Sequence, residues 1–270
     1  MNIKNAPVTQ TVFAHGYTGK NVGLGAALYN DITGPSRRSG INFSTAYHIK
    51  VKKPVEGWLS FGISALFFQY TIDQSQLTLG QTNDPVITGN SVSRFTPDAA
   101  FGVYYYTDKY YLGFSIPNLL QSKLDLFNVS SPYENQIRRT YFFSGSYDYF
   151  LKESNFIIEP TFLLRAVVAA PMQLDITTLL RYQFKVDKKK RTIGTNKNFA
   201  FGLTYRTSDA LVILTEFNID LFHFGYSYDI ILSDISPYSG GTHEITVGLS
   251  LVNAISKEKN SKYRNIYRRF

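Results

Sequence analysis

Residues 39–51 read Ser-Gly-Ile-Asn-Phe-Ser-Thr-Ala-Tyr-His-Ile-Lys-Val. Ile41, Phe43, Thr45, Tyr47, Ile49 and Val51 fall on one side of an extended chain, and Gly40, Asn42, Ser44, Ala46, His48 and Lys50 on the other. Successive side chains of a β-strand point to opposite faces, so this period of two predicts a strand with one apolar and one polar face. The same alternation returns at Met172, Leu174, Ile176, Thr178, Leu180 and Tyr182, and at Phe222, Phe224, Tyr226, Tyr228 and Ile230. Read along the chain, it predicts thirteen strands, at about 8–16, 22–30, 40–52, 58–70, 97–106, 110–116, 138–150, 157–168, 172–183, 198–206, 210–219, 221–231 and 242–252. Most have about nine residues or more, enough to cross a bilayer at a tilt of about 45°.

Composition agrees with a wall that meets lipid. Aromatic residues are 16% of the 270, with 20 Tyr and 21 Phe against 1 Trp. Such tyrosine usage suits the aromatic girdles of membrane barrels. The chain has no run of 18 apolar residues, which excludes a transmembrane helix. A mean hydropathy of −0.14 is no objection, because every second barrel residue faces a wet lumen. With 0 Cys, disulfides and thiolate-metal sites are out. The expected fold is all-β, an antiparallel transmembrane β-barrel of the outer-membrane type. The barrel is assigned to 1–252 and a basic periplasmic tail to 253–270.

The net charge of +8 is concentrated in two segments, 184–197 and 253–270. Each holds six basic residues against one acidic, a joint +10 that leaves −2 for the body of the chain. Long connections are expected at 31–39, 71–96, 117–137 and 232–241, and short turns at 17–21, 53–57, 107–109 and 151–155. A short amphipathic helix is expected from Ile116-Pro117-Asn118-Leu119-Leu120. Pro160 is expected at the start of its strand, since a closed barrel has no edge to hold it.

Bacterial barrels use even strand numbers. Thirteen is odd, so parity predicts one further strand upstream. That strand would make the four long connections extracellular, and the short turns and both basic segments periplasmic. The residues after Met1 hold no apolar signal-peptide core, so a signal peptide is expected upstream as well.

Candidate sites are few. Gly19-Lys20 lies among glycines at 16, 23 and 25, but the phosphate-loop pattern GxxxxGK[ST] is absent. The 4 histidines are His15, His48, His223 and His243. His243 and Glu244 are neighbours in a strand, point to opposite faces and form no dyad. A polar track is expected on the lumen faces at Arg165, Asp175, Arg181, Asp229 and Glu244, either as wall-stabilising ion pairs or as a path for a substrate segment. The bulky lumen residues Leu66, Phe68, Tyr104 and Tyr106 predict a filled or constricted interior. The basic segments read first as solvated charge, and otherwise as contacts for a periplasmic protein, peptidoglycan or anionic lipid, with Lys188, Lys189, Lys190, Arg191, Arg264, Arg268 and Arg269 the candidate partner contacts. Nothing in the pattern points to catalysis, a metal, a cofactor or nucleic acid.

Five stretches carry a resemblance. They are APVTQT (6–11), VGLGAALYNDITGP (22–35), FGVYYYTDKYYLGFSIPNLL (101–120), LLRAVVAAPMQLD (163–175) and YDIILSDISPYSGGTHEI (228–245). Together and in this order they resemble the PorP/SprF family of the type IX secretion system. The closing Tyr-Arg-Arg-Phe (267–270) is similar to the aromatic-basic end of many members. The resemblance implies a barrel of about 14 strands in the full family form, 13 of them visible here. It implies a non-enzymatic outer-membrane component that docks or anchors secreted proteins with C-terminal sorting domains, a gliding-motility adhesin among them. The implied partners are those proteins, other secretion components including periplasmic ones, and outer-membrane lipid. The rival expectation is a porin or small-solute transporter.

Overall fold

The computed structural model describes residues 6–77, 89–124, 126, 136–168, 170–184, 197–234 and 236–251. Its strands are β1 (Val8–Tyr17), β2 (Val22–Thr33), β3 (Ser36–Val51), β4 (Gly57–Asp73), β5 (Ser91–Tyr106), β6 (Tyr110–Ile116), β7 (Thr140–Tyr147), β8 (Tyr149–Phe150), β9 (Phe156–Val167), β10 (Gln173–Gln183), β11 (Lys197–Arg206), β12 (Ala210–Ile219), β13 (Phe222–Ile231) and β14 (Thr242–Leu249). All belong to one sheet of 14 strands that follows sequence order, each neighbour antiparallel to the last. β7 and β8 are two parts of one pass, so the wall has the thirteen passes that the alternation predicts. β1 and β14 end the path, and among the described residues no ladder joins them.

The alternation sorts the side chains as expected. Leu24, Phe43, Ile63, Leu180, Phe201 and Val247 stand on the outer face, each more than 40% exposed. Soluble monomers rarely expose contiguous apolar patches beyond a few hundred Å², so a band of this kind belongs against lipid. The inner face is small and polar at mid-wall. Gly25, Ser44, Ser64 and Ala100 form one cross-strand row, and the Ser44 and Ser64 hydroxyls are 2.8 Å apart. The wall is thus an all-β barrel wall of the outer-membrane type. No helix among the described residues is long and apolar enough to cross a membrane; the strands do that.

Alternating strand direction sets two rims. Connections 74–90, 117–139 and 232–241 lie at one, the long-loop rim. Turns 18–21, 52–56, 107–109 and 151–155 lie at the other, the short-turn rim. β10 and β14 both end at the short-turn rim, so the chain enters 184–197 and 252–270 from there.

Four local expectations are corrected. Residues 31–39 are not a long connection, because β2 and β3 extend to a two-residue turn at Gly34-Pro35, with Thr33 paired to Ser36. Gly34 has φ +56° at the first central position, where glycine suits a II′ hairpin turn. The 71–96 connection is likewise shorter, because β4 runs to Asp73 and β5 starts at Ser91. No helix starts at Ile116, since Asn118 and Gln121 take left-handed φ values of 55° and 53°, which break a helix. Finally, Pro160 lies inside β9, not at its start. Lacking an N–H, it sits where the ladder to β7 lapses. Pairing stops at Ser146 with Thr161 and resumes at Tyr149 with Ile158, while the Asp148 N–H donates to the Lys109 carbonyl instead.

Candidate functional site

The inner face of β9–β13 holds two charge clusters, one toward each rim. Arg181 organises the cluster near the short-turn rim. Its guanidinium donates to Glu159 in a side-on pair (Nε–Oε1 2.7 Å, Nη2–Oε2 3.0 Å), to Glu216 (Nη2–Oε2 2.8 Å) and to Asn198 (Nη1–Oδ1 2.8 Å). Glu216 is two strands away. Ala200 lies between them in the same cross-strand row and is wholly buried, so the arginine reaches across it. A larger residue at 200 would stand in that path. The network continues as Asn218 Nδ2 donates to Asn198 Oδ1 (2.8 Å), and Asn218 Oδ1 accepts from His223 Nδ1 (2.7 Å).

Arg206 repeats the device near the long-loop rim. It contacts Asp175 (Nε–Oδ2 3.4 Å), Asp209 (Nη1–Oδ2 3.3 Å) and Asp229 (Nη1–Oδ2 2.9 Å). The wholly buried side chain here is Ala210, directly opposite Arg206 on β12, between Arg206 and β13. One guanidinium among two or three carboxylates leaves both clusters acidic. Their geometry suits pinning strands together more than proton transfer or nucleophilic attack.

The expected polar track therefore resolves into separate places. Asp175 and Asp229 meet through Arg206, and Arg181 sits in the other cluster. Arg165 faces the lumen from β9 opposite Gln173, and shares a shallow hollow with Asp175, Arg206 and Asp209. Glu244 is exposed on the inner face of β14, opposite Ser227. His243 faces outward, with Nδ1 2.9 Å from the Tyr226 hydroxyl and its ring 4.7 Å from that of Tyr228. Lys188, Lys189, Lys190, Arg191, Arg264, Arg268 and Arg269 lie outside the described residues. Among the described residues no group of His, Asp or Glu is arranged to hold a metal ion.

Sequence reasoning missed Arg206, Glu159, Glu216 and Asn198. A signal was present. On β11 the lumen parity reads Asn198, Ala200, Gly202, Thr204, Arg206, four small residues ending in one long cation.

The other wall is built differently. β3, β4 and β5 have 16, 17 and 16 residues, whereas β6 and β7 have 7 and 8. At about 3.3 Å per residue β4 is roughly 55 Å long, more than a tilted crossing needs, so β3–β5 stand above their neighbours at the long-loop rim. The described arms that leave β6 and return to β7, 117–124 and 136–139, lie along this step. Leu119 N–H donates to Ala99 O (2.8 Å) and Leu120 N–H to Asp98 Oδ1 (2.9 Å), along the part of β5 that β6 does not reach. The return arm is tied back by Ile137 N–H to Ser122 O (3.1 Å) and Arg139 Nε to Leu119 O (2.9 Å). Leu124 and Ile137 pack against Leu66 and Phe68 on the inner face. Phe68 is 1% exposed, and Arg38 stacks over it at 4.2 Å to the ring centroid. Of the bulky lumen residues expected to fill the interior, Leu66 and Phe68 lie under these arms, while Tyr106 is buried toward the short-turn rim among Tyr104 and His48.

Comparison with curated proteins and with solved structures found no match. A family model described as "Type IX secretion system membrane protein PorP/SprF" matches residues 1–249. That match takes in every strand of the wall, and the chain belongs to the PorP/SprF family of type IX secretion system membrane proteins.

Proposed function

We propose that this protein is an outer-membrane component of the type IX secretion system that docks or anchors a secreted or cell-surface protein, such as a gliding-motility adhesin, through that protein's C-terminal domain. The family match over residues 1–249 carries the reading. The long-loop rim is the docking face, because the longest connections between strands gather there on a rigid wall, where recognition is usually placed. The short-turn rim meets periplasmic machine partners. The basic segments 184–197 and 253–270, with Lys188, Lys189, Lys190, Arg191, Arg264, Arg268 and Arg269, are entered from strands that end at that rim and supply its cationic contacts.

A second reading, a porin for small solutes, draws on the smooth mid-wall row of Gly25, Ser44, Ser64 and Ala100. Affinity capture of the full-length protein from native outer membranes, followed by mass spectrometry, separates the two. Co-purification of one large surface protein with periplasmic secretion components is the expected result. Recovery of the barrel alone, with steady ion conductance in planar bilayers, would replace docking by the porin reading.

A further inference from the structure

We propose that the hollow on the lumen side of β9–β11, at the long-loop rim, binds a basic amino-acid residue with a free α-carboxylate: Arg165 takes the carboxylate, and Asp175 with Asp209 takes the cationic side chain. The proposal rests on the geometry of the wall and not on the docking role.

The first observation is an uncommitted cation. Arg165 makes no hydrogen bond or ion pair with any described residue. Asp175 stands diagonal to it, opposite Leu163, and a long side chain can bridge diagonal neighbours in a sheet. Arg206 takes Asp175 instead, at Nε–Oδ2 3.4 Å, and Arg165 stays exposed with its guanidinium donors unused. A planar guanidinium in that state pairs best with a carboxylate, through two parallel hydrogen bonds.

The second observation is a surplus of negative charge across the same hollow. Asp175, Asp209 and Asp229 share one guanidinium, a balance of 1 − 3 = −2. Asp229 lies farther over on β13, but Asp175 and Asp209 line the hollow. Asp175 Oδ1 has no hydrogen-bond partner, and the Asp209 side chain is 40% exposed. Unused donors and unused acceptors therefore face one space, on opposite flanks of β10.

The third observation is size. The hollow measures about 380 Å³, room for one or two residues of an extended ligand and not for a folded domain. Two strand spacings separate its flanks, roughly 10 Å. An α-ammonium group lies too close to its own carboxylate to touch both. The side-chain nitrogen of an extended lysine lies about 7 Å from the carboxylate by bond lengths, and hydrogen bonds at each end complete the span. Phe142 and Leu163 offer an apolar surface to the aliphatic stem, and Gln173, opposite Arg165, offers an amide to the adjoining peptide unit.

The test is calorimetric titration of the full-length protein in detergent micelles, with folding checked by the heat-dependent gel mobility of barrels. The probes are a short N-acetylated peptide ending in lysine as the free acid, its carboxy-terminal amide, the same peptide ending in leucine, and free lysine. The lysine acid is expected to bind about tenfold tighter than the amide or the leucine peptide. Arg165→Gln should erase the preference for acid over amide while keeping lysine over leucine. Asp209→Asn should weaken the preference for lysine while keeping that for the acid. Free lysine bound as tightly as the peptide, with the same dependence on Arg165, supports the site and assigns it to small solutes. Tighter binding of the peptide supports it and assigns it to a polypeptide end. Equal binding of acid and amide by wild type, an acid preference that survives Arg165→Gln, or no saturable heat with any probe would overturn the proposal. None of these outcomes depends on whether a surface protein docks on the barrel.

Discussion

Removal of the Arg181 side chain tests the wall most directly. Arg181→Ala deletes four hydrogen bonds and leaves Glu159 and Glu216 without their shared cation. Hydrogen bonds to charged groups contribute about 1.5–3 kcal/mol each, but these four share one guanidinium and do not add. Taking one partner from a buried ion pair costs about 3–5 kcal/mol. The side chains of Arg181 and Glu159 are 15% exposed and that of Glu216 is 28%, so lumen water relieves part of the loss. The expected cost is therefore about 3 kcal/mol, the lower end of that range. Urea titration of folding into lipid vesicles measures it, with the fluorescence of Trp58, the 1 tryptophan, as reporter. The midpoint should fall while the slope stays constant. Neutralising the whole cluster with Arg181→Met, Glu159→Gln and Glu216→Gln should recover most of the loss, since no uncompensated charge remains. If Arg181→Ala lies within about 0.5 kcal/mol of wild type, the cluster is a solvated surface pair and the reasoning fails.

Ala200→Leu places a side chain in the path of Arg181 and should cost about 1–3 kcal/mol by overpacking. In the same titration its effect should largely vanish in the Arg181→Ala background, because both act on one contact. Gly40→Ala should cost a similar ~1–3 kcal/mol. Its Cβ would occupy the space of the Tyr29 ring, so the loss should shrink in Tyr29→Ala, read by the same midpoint. Leu180→Arg on the outer face should cost about 2–4 kcal/mol. Leu163→Arg on the inner face, a leucine already 36% exposed to the lumen, should cost far less. Equal costs for these two leucines would show that the faces are assigned wrongly.

The fold was legible because its signal is local. Alternation at Met172–Tyr182 and Phe222–Ile230 needs no knowledge of the neighbouring strand, and it fixed faces and most strand ends to within a few residues. What escaped depends on pairing. Extension of β2 and β3 past Asp31 and Ser39 is sustained by ladder bonds between polar residues such as Asp31 and Arg38, whose sequence looks like a loop. The break between β7 and β8 is written in β9, at Pro160. Asp175 was legible as a lumen residue, but its partner Arg206 lies 31 residues on, and only the β10–β11 register brings them together. The packing of Ile137 on Phe68 likewise needs a connection to fold back on the wall, which no periodicity encodes.

The reach of Arg181 over Ala200, and the placing of Arg206 beside Ala210, bear on how the strands find their partners. A slip of one residue turns every apolar side chain to the wrong face and is rejected by lipid. A slip of two keeps all faces right, so hydrophobicity alone is blind to it. Moved by two, β10 would set Arg181 opposite Asn198 or Gly202 and Asp175 opposite Thr204 or Ser208, and both clusters would come apart. Two bolts, set roughly 20 Å apart on β10 at about 3.4 Å per residue, thus proofread an error that the membrane cannot detect.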